Sequence, residues 1–157
     1  MTEQEYKMIR VMKNMQDILD QAILTEHKVT FNLEKSKRAL LDELGETNHE
    51  DKANWCWWKY TQKPVDNLKL LEELADAWHF ALSIDNNENN GVILNCDIKK
   101  YEGLKLSTLF AYAVIKVDTI IPVMINITHK LGFSIEDVYN AYKEKNKVNF
   151  ERLENGY

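Results

Sequence analysis

Glycine and proline are scarce in this chain, five and two among 157 residues. Both residues punctuate turns and break helices, so their scarcity excludes collagen-like, linker-rich and turn-dense β architectures. Disulfide chemistry is absent as well: Cys56 and Cys96 stand alone, with neither CxxC spacing nor a disulfide framework. That suits reduced thiols in a reducing compartment, acting as small core hydrophobes. No stretch reaches the roughly 18 to 20 apolar residues of a membrane span, and the opening MTEQEYKMIR lacks the apolar core of a signal peptide. The expectation is a cytoplasmic protein with no membrane partner. Net charge is −5 with acids and bases interspersed, which argues against a general nucleic-acid surface but allows a local basic patch for a small polyanion. His27, His49, His79 and His129 show no HxxxH or HxH spacing, which argues against zinc. His79, three residues after Asp76, is either a support for the acids or, the better reading, a core histidine.

What the chain does have is apolar residues recurring at three and four, the mark of helices. The fold expected is all-α, one domain over residues 1–157 built as a bundle of about five main helices. The first covers about 3–25, with Met8, Val11, Met12, Met15, Ile18, Leu19 and Ala22 on its apolar side. The second covers about 31–49. A loop or short turn follows, and Pro64 with Asp66 or Asn67 marks the start of a third helix running to about 84. Residues 85–103 are Asn-rich and read as a surface connection. A fourth helix, about 104–131, is apolar on most sides, which implies deep burial in a bundle or at a subunit interface, and Pro122 should kink it. Gly132 ends it, and Ser134 with Asp137 makes a capping start for a fifth helix, 134–150.

Four carboxylates carry the chemistry. Glu43-Leu-Gly-Glu46 and Glu73-Leu-Ala-Asp76 lie on the second and third helices, and residues three apart share a helix face, so each pair aims two acids at one point. Leu70, Ala77 and Phe80 flank Glu73 at helical offsets, and Ala39 and Leu40 lie beside Glu43. Acids bordering inward-facing stripes would repel and protonate without a cation. Mg²⁺ takes hard oxygen ligands and keeps waters for substrate phosphates, so the quartet points to an enzyme acting on phosphates. Surface acids of no function are the bland alternative.

Three further groups accompany the quartet. Along the last helix an apolar stripe, Val138, Ala141 and Tyr142, gives way to Lys145, Asn149 and Arg152, either a helix emerging into solvent or a set of donors for phosphate oxygens. Trp55, Trp57 and Trp58, with Lys59 after them, pack a core, form a dimer seam or build an aromatic wall for a nucleobase. Gln16 and Asp20, one turn apart, share a side with Met12 and Ile23. They are a helix-surface pair or, since an amide reads a pyrimidine edge well, a base-reading one.

Taken in order, MQDILD (15–20), DELGE (42–46), WCWWK (55–59), EELADAWHF (72–80) and KNKVNFERLENGY (145–157) resemble the dimeric, all-α dUTP pyrophosphatases, within the wider MazG-like superfamily. ExxE followed by ExxD suggests only the superfamily. The terminal K-N-x-x-N-x-x-R with its closing G-Y is far more specific. The resemblance implies a homodimer that hydrolyses dUTP to dUMP and pyrophosphate with Mg²⁺ and so limits uracil incorporation into DNA. It implies that Glu43, Glu46, Glu73 and Asp76 ligate the metal and that Glu46 orients or deprotonates the attacking water. Lys145, Asn149 and Arg152 would hold phosphates, with Lys59 and Tyr157 as further candidates. Gln16 matches the family's uracil-reading glutamine, Asp20 stands where relatives often carry Asn, and Trp58 or Phe80 would flank the base. Many relatives are longer and carry a mobile insertion for which 85–103 leaves little room. Leu153 also stands where relatives often place Gln. A pyrophosphohydrolase of different base preference, such as one for dCTP, and a noncatalytic helical binding or regulatory protein are the rival readings.

Overall fold

A computed structural model describes residues 1–89 and 97–156, and among them there is no strand. Helix α1 (Glu3–His27) starts from a capping box: the Thr2 side chain accepts from the Glu5 N–H while the Glu5 carboxylate accepts from Thr2. Asn32 caps α2 (Leu33–Glu50) by accepting from Lys35. A single turn, α3 (Lys52–Trp55), follows α2 directly. Asp66 then caps α4 (Asn67–Glu88), accepting from Leu68 and Lys69. After the short α5 (Lys99–Glu102) come α6 (Leu106–Ile115), a 3₁₀ turn (Val117–Thr119) and α7 (Ile120–Lys130). The last helix, α8 (Ile135–Glu154), begins at the Ser134–Asp137 capping box expected from the sequence. Gly132, at φ 88°, makes the left-handed turn between α7 and α8 that a side chain would strain.

Helix α4 is the centre of the molecule, packed against α1, α2, α7 and α8. The reason is compositional: Leu70, Leu74, Ala75, Ala77, Trp78, Ala81, Leu82 and Ile84 are all buried, so α4 has apolar groups on more than one side. Trp78 is fully buried, and its indole N–H donates to Thr128 Oγ1 at 3.0 Å on α7. That contact is the sort of aromatic anchor whose truncation costs about 3–5 kcal/mol.

Two expectations are corrected. The single fourth helix is two helices bent by 118°, and the break falls at residues 116–119 rather than at Pro122. Pro122 sits in the first turn of α7, where a missing N–H costs nothing. Asn89, at the end of α4, stabilises the break by donating to the Val117 carbonyl at 2.9 Å. Residues 120–128 are buried within this chain, so α7 offers no free apolar face to a second copy. The connection after the third helix is also shorter than expected, because Asp85 is buried in an ion pair with Lys13 of α1 and keeps α4 helical to Glu88. Tyr157 and Cys96 lie outside the described residues. Among the described residues no single helix is long and apolar enough to cross a membrane.

Candidate active site

The α2–α4 contact brings three of the four acids together. Ligand oxygens of Glu43, Glu73 and Asp76 lie within 4.8 Å of one another, each side chain partly buried. Glu46 is exposed. Three residues advance a helix by about 300°, so two acids on one face still differ by about 60° in direction. Glu43 turns toward α4 and Glu46 toward its rim, beside Glu73, whose carboxyl its hydrogen bond perturbs.

Burial and then the crowding of like charge both favour the protonated form of these groups. Burial, and then the charges of Asp76, Glu46, Glu73 and Asp42, push Glu43 up to about 7. Glu73 is also raised, first by burial and then by the hydrogen bond and charge of Glu46 and the charge of Asp76. Lys145 of α8 answers this cluster by donating to Asp76 Oδ2 at 2.7 Å. Burial works against the Lys145 charge, but the bond to Asp76 and the charges of Asp76, Glu73 and Glu72 outweigh it and hold its pKa above the ordinary value. Three hard oxygen donors at this spacing, two of them raised in pKa by burial and then by their neighbours, suit a divalent metal ion.

Glu43 and Asp76 open onto a cavity of about 490 Å³, within the usual size of small-molecule sites. Its walls come from α1, α2, α4 and α8, and they include Gln16, Asp20, Phe80, Asn149 and Arg152. Helical spacing explains the convergence: Asp76, Phe80 and Ser83 descend one face of α4, Gln16 and Asp20 one face of α1, and Lys145, Asn149 and Arg152 one face of α8.

Another part of the cavity wall is a buried hydrogen-bond network centred on Gln16. Gln16, only 4 % exposed, accepts at Oε1 from the Tyr142 hydroxyl at 2.7 Å, meets His79 Nδ1 at 2.7 Å, and donates from Nε2 to Asp20 Oδ1 at 2.7 Å. His79 stacks on Tyr142 with ring centroids 4.0 Å apart. Burial, helped by the Lys145 charge, drops His79 to about 3, so the ring is neutral. Burial raises Asp20, opposed by Ser83 and Gln16, whose side chains favour the charged form.

The structure does not bring the tryptophan segment to this cavity. Trp58 is 56 % exposed, Lys59 is exposed, and neither lines the cavity. The segment is held elsewhere: the Trp55 indole N–H donates to the Asn48 carbonyl at 2.7 Å, and Gln62 donates to the Cys56 carbonyl at 3.2 Å. At the surface rather than in the core, Trp58 meets Trp55 at a tilt and Trp57 edge-on, each with ring centroids 5.8 Å apart, while Cys56 is buried. Conversely, His79 lines the cavity and Tyr142 backs it through Gln16, positions that the sequence reading does not assign to the base end. Their signal in the sequence is their register, three from Asp76 and three from Lys145.

An all-helical chain that gathers an acidic triad beside a cavity with Asn149 and Arg152 in its wall has the parts of a helical phosphohydrolase. The sequence model of the dUTPase family matches residues 8–157, nearly the whole chain. The chain belongs to that family and is a dUTP diphosphatase. No curated protein matches it.

Proposed function

We propose that the enzyme works with Mg²⁺ held by Glu43, Glu73 and Asp76, with Glu46 at the rim orienting and deprotonating the attacking water. The observation that carries this reading is the triad itself, three carboxylate oxygens within 4.8 Å where Glu43 rises to about 7. A bound divalent cation would neutralise that crowding and withdraw charge from the triphosphate. The chain's own residues do the rest. Lys145, Asn149 and Arg152 place charged and amide donors along one face of α8, suited to the phosphate oxygens, and Lys145 exchanges its bond to Asp76 for one to phosphate. Gln16 and Asp20 read the base and Phe80 flanks it. Water attacks, the bond between the α and β phosphorus groups breaks, and dUMP and pyrophosphate leave, with no covalent enzyme intermediate.

The whole chain acts as one domain, and the working form is a homodimer in the cytoplasm. Val11 and Ile18, seven residues apart on one face of α1, are exposed apolar groups available to a second copy. Light scattering that shows only a monomer at working concentration would remove the dimer. The central test is pyrophosphate release from dUTP, dCTP, dTTP, dATP and UTP, with Mg²⁺ and with EDTA. Selective, metal-dependent turnover of dUTP is expected. Turnover that survives EDTA would overturn the metal assignment, and undiminished turnover by folded Glu46→Gln would remove Glu46 from its role.

A further inference from the structure

The bonds around Gln16 determine more than its place. A carbonyl oxygen has two lone pairs, and Oε1 of Gln16 faces two donors, the Tyr142 hydroxyl from α8 and Nδ1 of His79 from α4, each at 2.7 Å. His79 Nδ1 must therefore carry the ring proton, because a bare nitrogen there would set lone pair against lone pair. Nε2 of Gln16, on the opposite side of the amide, gives one hydrogen to Asp20 Oδ1. With two donors at its oxygen and a carboxylate at its nitrogen, the amide cannot flip without breaking three bonds. One N–H of Gln16 remains, and Asp20 Oδ2 is buried with no hydrogen bond of good geometry, the Ser83 side chain acting on the same carboxylate. Both residues line the cavity.

A donor next to an acceptor complements a base edge that presents C=O next to N–H, as a 4-oxo pyrimidine does. A 4-amino pyrimidine presents the reverse, an amino donor beside a bare ring nitrogen, and would oppose donor to donor and lone pair to lone pair. Such reversed pairing in a buried site is heavily penalised. We propose that His79 and Tyr142 are positioning residues that lock the Gln16 amide in the orientation that rejects a 4-amino pyrimidine. This rests on the reading that Gln16 and Asp20 face the base. The aromatic stack of His79 on Tyr142 makes the lock rigid, since neither ring can rotate without disturbing the other. Thymine shares the 4-oxo edge, so the lock works against cytosine and does nothing against thymine.

The test measures kcat and KM for dUTP and for dCTP, with the inhibition constant of dCTP where its turnover is too slow, in wild type, Gln16→Leu, Tyr142→Phe, His79→Leu and His79→Asn. Tyr142→Phe keeps the stacked ring and removes only the hydroxyl, so it carries the test if His79→Leu fails to fold. Asparagine can return a donor at the Nδ1 position. In Tyr142→Phe and His79→Leu the preference for dUTP over dCTP is expected to fall roughly three- to ten-fold, through KM for dUTP more than kcat, with His79→Asn recovering part of it. A preference that drops in Gln16→Leu but is unchanged in folded Tyr142→Phe and His79→Leu would overturn the lock and leave the base reading standing. If Gln16→Leu also leaves it unchanged, the base reading fails and the lock with it.

Discussion

The two ends of the cavity are built on opposite principles. At one, Glu43, Glu73 and Asp76 lie close together, burial and then neighbouring charge raise Glu43 and Glu73, and Lys145 donates to Asp76. At the other, Gln16, Asp20, His79 and Tyr142 form a buried network in which most polar atoms already have a partner. The first arrangement works against the fold, and a bound cation would relieve it. The second is organised before any ligand binds. A helical protein can thus keep an acidic end under electrostatic stress and a hydrogen-bonded end already satisfied, with both hung on the same helix, here α4.

That contrast can be broken most severely by removing the metal: with EDTA, pyrophosphate release from dUTP should fall to background, and added Mg²⁺ should raise the melting temperature. Stabilisation of about 2.7 kcal/mol is expected at a hundred times the dissociation constant. Next in size, Glu73→Gln should lower kcat/KM about 10²- to 10³-fold, the scale of losing one charge-stabilising group. Its melting temperature without metal should be equal to or above that of wild type, since a repulsive charge has gone. A clear loss of stability would show the triad to be structural. Arg152→Ala should weaken nucleotide binding by about 1.5–3 kcal/mol, as for a lost charged hydrogen bond. Unchanged affinity in a calorimetric titration would remove Arg152 from the phosphate wall.

The smallest effect is the sharpest discriminator, because the two ends should titrate in opposite senses. Glu43 in the fold sits above its ordinary 4.5, at about 7. Its contribution to stability is complete below about 4.5 and lost as pH rises through about 7. His79 sits below its ordinary 6.5, at about 3, so its contribution is present above about 6.5 and lost as pH falls toward 3. In metal-free protein, wild type should therefore lose melting temperature relative to Glu43→Gln between pH 4.5 and 7. Relative to His79→Leu it should lose melting temperature on acidification below 6.5. Parallel curves in either comparison would contradict the assigned shift.

Much of this was legible in the chain itself, and the reasons are local. Capping residues Asp66 and Ser134, the turn at Gly132 and the three-four periodicity define helices through short-range bonds and one-sided burial, which depend on neighbours in sequence. The acidic pairs were visible because i, i+3 spacing is a property of any helix. The break at residues 116–119 was not, because it is stabilised by Asn89, 28 residues away. Nor was the helical end of α4, which depends on the Asp85 pair with Lys13, 72 residues away. The tryptophan segment shows the limit most plainly: its composition suits a base wall, but hydrogen bonds to Asn48 and Cys56 carbonyls hold it outside the cavity.

By itself, then, the sequence determined the helical class, most helix starts, the pairs of acids and the resemblance that the family match bears out. Each of those follows from residues a few positions apart, or from motifs in order. Only the tertiary structure decided that Glu46 stays exposed beside Glu73, that Lys145 meets Asp76, and that His79 and Tyr142 close on Gln16. Those are meetings of side chains 63 to 126 residues apart, and only the packing of α1, α2 and α8 around α4 determines which of them occur.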